Sequence, residues 1–139
     1  MGAKKKILVL DDEGCIRDLI DEVLQDAGYE VITAESPGMA AVRAYKADLV
    51  VLDLSMTEKD DTEGMNVLVH LWEDKLNHTP VIIFSEFALL PETQNEIREM
   101  EEVYGDGRKV YDCIPKSDGM AKLVESVDRL FGNVREEAY

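Results

Sequence analysis

Apolar and polar positions fall along this chain in blocks. The segment KKKILVL closes on an unbroken apolar run, Ile7 to Leu10. A continuous run of that length fits a strand covered on both faces, whereas a half-exposed strand would alternate. CIRDLIDEVLQDAGY follows and puts Ile16, Leu19, Ile20, Val23, Leu24 and Ala27 on one helical face, with Gly28 where a helix C-terminal glycine belongs. EVITA reads as a second strand. Ser36-Pro37, a capping residue and a first-turn proline, opens a helix that continues through GMAAVRAYK. DLVVLD is a third strand, and after a loop GMNVLVHLWEDKL is a helix with Met65, Leu68, Leu71 and Trp72 inward. Pro80 precedes VIIF, the fourth strand. PETQNEIREMEEVY is a fourth helix with a thin apolar face of Ile97, Met100 and Val103. KVYDCI is the fifth strand, and SDGMAKLVESVDRLF the fifth helix, with Leu123, Val124, Val127 and Leu130 inward.

Five strand–helix pairs in alternation imply an α/β fold with a parallel sheet and helices on both faces. Right-handed crossovers make such a sheet doubly wound. The pattern has no internal repeat and no linker. It therefore predicts one domain over residues 1–139, with a core of about 4–132 and a frayed tail at 133–139.

Composition narrows the function classes. At 45% hydrophobic residues the chain is not a disordered tail. Its net charge of −15 repels phosphates and anionic lipid, so neither direct nucleic acid binding nor membrane attachment is expected. No apolar run is long enough to cross a bilayer, and the basic start MGAKKK leads into too short an apolar run for a secretion signal. Cys15 and Cys113 lie far apart with no metal-ligand spacing. They read as reduced, packing thiols of a cytoplasmic protein.

In open parallel sheets, ligands sit beyond the carboxyl ends of the strands, where strand order reverses. The first strand here ends in Asp11, Asp12 and Glu13, the third in Asp53, the fourth in Ser85 and the fifth in Lys116. If the order is 2-1-3-4-5, then Asp11, Asp12 and Asp53 converge, with Ser85 and Lys116 closing the other side. Carboxylates that close need raised pKa values or a cation among them. An oxygen-rich site of this kind suits a hard cation such as Mg²⁺. Glu13 reads more simply as an acid at a helix start. An aspartate, a metal, a lysine and a hydroxyl together suit phosphoryl transfer onto the carboxylate.

The motifs ILVLDDE, DLVVLDLSM, PVIIFS and DCIPKS occur in that order, and the chain resembles the receiver domain of two-component response regulators, of the chemotaxis-regulator type, over roughly residues 4 to 132. The resemblance implies a flavodoxin-like fold with sheet order 2-1-3-4-5. It implies Asp53 as phosphoacceptor, with Lys116 and Ser85 as the lysine and switch hydroxyl that meet the phosphoryl group. It implies Mg²⁺ or Mn²⁺ held by Asp11, Asp12, Asp53 and the backbone carbonyl of Ser55, with Asp11 often acting through water. The phosphoryl group would come from a sensor histidine kinase or phosphotransfer protein. A downstream protein would then read the face made by the fourth helix, the fifth strand and the fifth helix. The domain would be no enzyme beyond its own phosphorylation and dephosphorylation. With no output module in the sequence, it is expected to stand alone.

Four departures from that family pattern bear on the expectation. Ser117 follows Lys116 where a proline, usually cis, is the rule, and a cis bond to a non-proline residue costs about 3–4 kcal/mol. Glu86 follows Ser85 where a small residue leaves room for the phosphoryl group. Cys113 stands at the switch aromatic's position, with Tyr111 nearby. The loop SMTEKDDTEGM after Asp53 is long and acidic, with Thr57 replacing a proline and Asp60 and Asp61 beside the metal site. These departures keep a second reading open: a degenerate receiver that docks without phosphorylation. VVLDLSMT also resembles an aspartate-nucleophile phosphatase motif, but Ser55 stands where that motif needs a second acid, and the Asp11–Asp12 pair would go unexplained. A flavodoxin-like cofactor binder would need a phosphate loop after the first strand, where this chain has acids.

Overall fold

The apolar runs are strands. A computed structural model describes residues 4–11, 13–34, 46–54 and 63–133, with side chains from residue 67 in the last stretch. The expected helix opening at Ser36-Pro37 and the acidic loop at 55–62 fall outside the described residues, apart from Lys46 at the helix's end; so does the side chain of Met65. The strands are β1 (Lys6–Leu10), β2 (Glu30–Ala34), β3 (Leu49–Leu52), β4 (Val81–Ser85) and β5 (Asp112–Pro115). All pair in parallel, in the order β2-β1-β3-β4-β5, as expected. The described helices are α1 (Gly14–Asp26), α2 (Glu63–Glu73), α3 (Pro91–Tyr104) and α4 (Met120–Phe131). None is long and apolar enough to cross a membrane.

Because side chains alternate across a strand, each apolar run feeds two cores. Leu8, Leu10, Val50, Leu52 and Ile83 face one side, where Leu68, Leu71 and Trp72 of α2 and Ile97 of α3 cover them. Ile7, Val9, Val51, Ile82 and Phe84 face the other, under Ile20 and Leu24 of α1 and Leu123 and Val127 of α4. Burying each large side chain contributes about 1.5–3 kcal/mol, so the runs themselves explain the two-layered burial.

Several element ends differ from the sequence reading. The helix at α2 stops at Glu73, not Leu76. The Asp74 carboxylate accepts from the Leu76 amide at 3.0 Å, which turns the chain and leaves Leu76 89% exposed. Leu19 and Val103, expected inward, are exposed. β5 begins at Asp112 rather than Lys109, since the Val110 amide donates to the Glu101 carboxylate at 2.9 Å instead of to a strand. A single 3₁₀ turn, Lys116–Asp118, precedes α4, which starts three residues after the Ser117 at which the sequence segment opened. Cys15 is exposed and Cys113 half-buried, and both are free thiols.

At the amino ends of β4 and β5, Arg108 joins two helices. Its Nε donates to the Gly105 carbonyl at 2.7 Å, Nη1 to the carbonyls of Asp74 at 2.8 Å and Asn77 at 2.6 Å, and Nη2 to those of Trp72 and Tyr104. An arginine has five N–H donors, and all are engaged. The acceptors include last-turn carbonyls of α2 and α3, where a positive charge also meets the negative end of each helix dipole. Gly105 makes this turn possible: a Cβ there would lie 2.4 Å from the Glu101 carbonyl oxygen and 2.5 Å from that of Arg108.

Candidate functional site

Register brings the acids together. Leu10 pairs with Leu52, so the next residues, Asp11 and Asp53, stand side by side as β1 and β3 end. The Asp53 amide donates to the Leu10 carbonyl at 3.0 Å and extends that pairing by one step. Both carboxylates are buried, at 1% and 3% exposure. Asp11 is fixed twice more: its Oδ1 accepts from the Glu13 amide at 3.0 Å, and its carbonyl accepts from Arg17 Nη1 at 2.9 Å. Glu13 occupies the N-cap position of α1 without a side-chain capping bond, so its carboxylate is free to follow the dipole alone.

Ser85, the last residue of β4, pairs with Pro115, and Lys116 is the first residue past β5. The Lys116 ammonium lies 3.1 Å from Asp53 Oδ2, to which it donates, and 2.8 Å from Asp11 Oδ2. The second contact is short but poorly aligned: Asp11 Oδ2 is buried and accepts no well-directed hydrogen bond, so the interaction is an ion pair more than a bond. Burial alone would lower the Lys116 pKa, but its pairing with Asp11 and the charges of Asp53 and Asp11 outweigh that, and the pKa is raised. The ammonium therefore stays charged at neutral pH. Both carboxylates meet on that one ammonium.

These features fit a hard cation. Two buried carboxylates present oxygen donors, and the buried Asp11 Oδ2 lacks an aligned partner. Asp12 and Ser55, the remaining expected ligands, lie outside the described residues. Among the described residues no group of three or more ligating side chains forms, so the structure brings together Asp11, Asp53 and Lys116 and leaves the set otherwise open.

The departures can be placed as well. No described peptide bond is cis, so Lys116–Ser117 is trans, yet Lys116 still reaches both acids. Proline here precedes the lysine, and the 3₁₀ turn it introduces aims the side chain. Glu86 is exposed, whereas Ser85 is buried at 1%. Cys113 packs half-buried against the core that holds Trp72; burial pushes its thiol pKa up, with Gln94 acting in the opposite sense. Tyr111 precedes β5 and is 38% exposed. One contributor was not anticipated from the sequence: Arg17 ties the acid-bearing turn to the first turn of α1. Its only sequence signal is a basic residue on an otherwise acidic helix.

Comparison with known proteins agrees with this geometry. The family model for the response regulator receiver domain matches residues 7–128. The chemotaxis protein CheY of Listeria monocytogenes is 35% identical over 63 residues, 43% of this chain and 53% of that protein, so the match spans about half the relative's length. The chemotaxis protein CheY4 of Vibrio cholerae superposes with a TM-score of 0.72 at 25% identity, covering 91% of this chain and 98% of the other. The receiver domain of a Pseudomonas aeruginosa sensor histidine kinase, whose structure carries a magnesium ion in its active site cleft, shares the fold with a TM-score of 0.73 at 19% identity, covering 94% and 99%. With the family model spanning most of the sequence and the sheet order matching, the chain belongs to the response regulator receiver domain family.

Proposed function

We propose that this domain accepts a phosphoryl group on Asp53 and acts as a stand-alone signalling switch. The observation that carries this reading is the trio of Asp11, Asp53 and Lys116: two buried acids held side by side by strand register, with one cation on both. A carboxylate oxygen of Asp53 attacks phosphorus in a phosphohistidine, the P–N bond breaks, and the imidazole leaves. Asp53 becomes an acyl phosphate. Lys116, already within reach of that carboxylate, offsets the incoming negative charge. The Ser85 hydroxyl stands at the neighbouring strand end to meet the phosphoryl oxygens. Asp11, Asp12, Asp53 and the Ser55 carbonyl would hold Mg²⁺ or Mn²⁺, which supplies charge neutralisation when bound. The domain would work in the cytoplasm, taking its phosphoryl group from a sensor histidine kinase or phosphotransfer protein. Its output would be a protein contact through the face formed by residues 91–104, β5 and α4.

The test is intact mass spectrometry after incubation with Mg²⁺ and acetyl phosphate or phosphoramidate. One added phosphoryl group is expected, absent in Asp53→Asn at an unchanged circular dichroism spectrum. No label from any donor would instead favour the degenerate docking module, a reading motivated by Glu86, Cys113 and Ser117. Sustained hydrolysis of a phosphate ester would favour the aspartate-nucleophile phosphatase.

A further inference from the structure

Asp11 is tied down from three directions. Register sets its place beside Asp53, since Leu10 pairs with Leu52 and the Asp53 amide donates to the Leu10 carbonyl. The Glu13 amide donates to its Oδ1 at 3.0 Å and holds one end of the carboxylate. The third tie comes from a side chain: Arg17 Nη1 donates to the Asp11 carbonyl at 2.9 Å. β1 ends at Leu10, so this carbonyl lies just past the strand, and a backbone oxygen at so buried a residue needs a donor. Fixing the carbonyl also fixes the peptide that follows it, and with it the approach of the Glu13 amide to Oδ1. The other oxygen, Oδ2, is then left facing the Lys116 ammonium at 2.8 Å, buried and without an aligned hydrogen bond.

Electrostatics alone would not put an arginine here. Arg17 stands in the first turn of α1, where the helix dipole favours anions. Its charge, close to the acids, also opposes the entry of a metal ion. The bond to the Asp11 carbonyl is what offsets both. Bonds of this kind, which orient a ligand without touching the metal, commonly change metal affinity by about 10–100-fold when removed. We propose that Arg17 is a positioning residue of this site: by holding the Asp11 carbonyl it aims the carboxylate and so sets the affinity of the acid pair for a divalent cation. The inference rests on the cation site at Asp11 and Asp53 put forward above, but not on phosphorylation of Asp53.

The test is a Mg²⁺ titration of the ¹⁵N-labelled full chain, followed by amide shifts around residues 11, 53 and 116. Three roles for Arg17 give three signs. Loss of a mere repelling charge would tighten Mg²⁺ binding in Arg17→Met, and loss of a mere structural prop would leave it unchanged. Loss of a positioning bond should weaken it by at least about tenfold. Arg17→Lys keeps the charge but not the geometry of the guanidinium, so it should also bind more weakly than the parent, by about threefold or more, and it carries the test if Arg17→Met does not fold. Gly105→Ala, at the opposite end of the sheet, should lose stability and keep the parent's Mg²⁺ affinity. The proposal is overturned if both Arg17 variants bind Mg²⁺ as tightly as the parent or more so, if Gly105→Ala weakens binding as much as they do, or if the parent takes up no Mg²⁺. If Mg²⁺ binding depends on Arg17 but Asp53 accepts no label, the phosphoacceptor reading fails and this one stands.

Discussion

At the scale of single residues, Lys116 is the group on which the pocket most depends. It is the cation that makes two buried carboxylates tolerable side by side. Removing one partner of such a cluster leaves uncompensated charge, so Lys116→Met should destabilise the metal-free domain by about 2–4 kcal/mol. Thermal melts would check this, and a second readout separates charge from packing: millimolar Mg²⁺ should raise the melting temperature more in Lys116→Met than in the parent chain. An equal increment would argue against a shared cation site. The two thiols give a simpler contrast. Burial raises the Cys113 pKa and hides the sulfur, so less thiolate is present near pH 8, whereas Cys15 is exposed. Timed alkylation with peptide mapping should modify Cys15 first.

Among elements, the strands were readable because their burial on both faces demands unbroken apolar runs, and Ile7–Leu10, Leu49–Leu52 and Val81–Phe84 supply them. Once the strand order was inferred, the meeting of Asp11 with Asp53 followed from register. Helix ends were less legible, because they are set by single side-chain bonds. Asp74 stops α2 before Leu76, and Glu101 takes the amide of Val110 from the expected β5. Nor does sequence spacing reveal that Lys116 can reach both acids across a trans bond to Ser117; that depends on the turn begun by Pro115. The clasp at the ends of α2 and α3 was invisible for the same reason, since Arg108 meets acceptors more than thirty residues away. It is testable by equilibrium urea unfolding. Arg108→Met takes a donor from five carbonyls, of which those of Gly105 and Asp74 still accept a backbone amide, and should cost about 3 kcal/mol. Gly105→Ala forces a methyl group onto two backbone oxygens and should cost about 2–3 kcal/mol. If either variant unfolds at the parent's midpoint, the clasp is not holding these helices.

On the scale of the whole molecule, charge dominates. Thirty acidic against fifteen basic side chains make the folded state repel itself. Sodium chloride should therefore raise the melting temperature as the screening length shrinks to about 10 Å near 0.1 M. A further increment from Mg²⁺ should persist on that salt background, because it comes from a site and not from screening. Calorimetry in matched ionic strength would separate the two, and loss of the Mg²⁺ increment in salt would reduce it to bulk electrostatics. The sheet also sets its two ends apart, with the paired acids at one and the Arg108 clasp at the other. The chain's lone tryptophan, Trp72, lies sealed in the core at the second end. Its emission is thus a built-in spectroscopic gauge of unfolding that is blind to events at Asp53: a fluorimeter can follow denaturation without interference from phosphorylation, and a colour change that does accompany acylation would mean the two poles communicate.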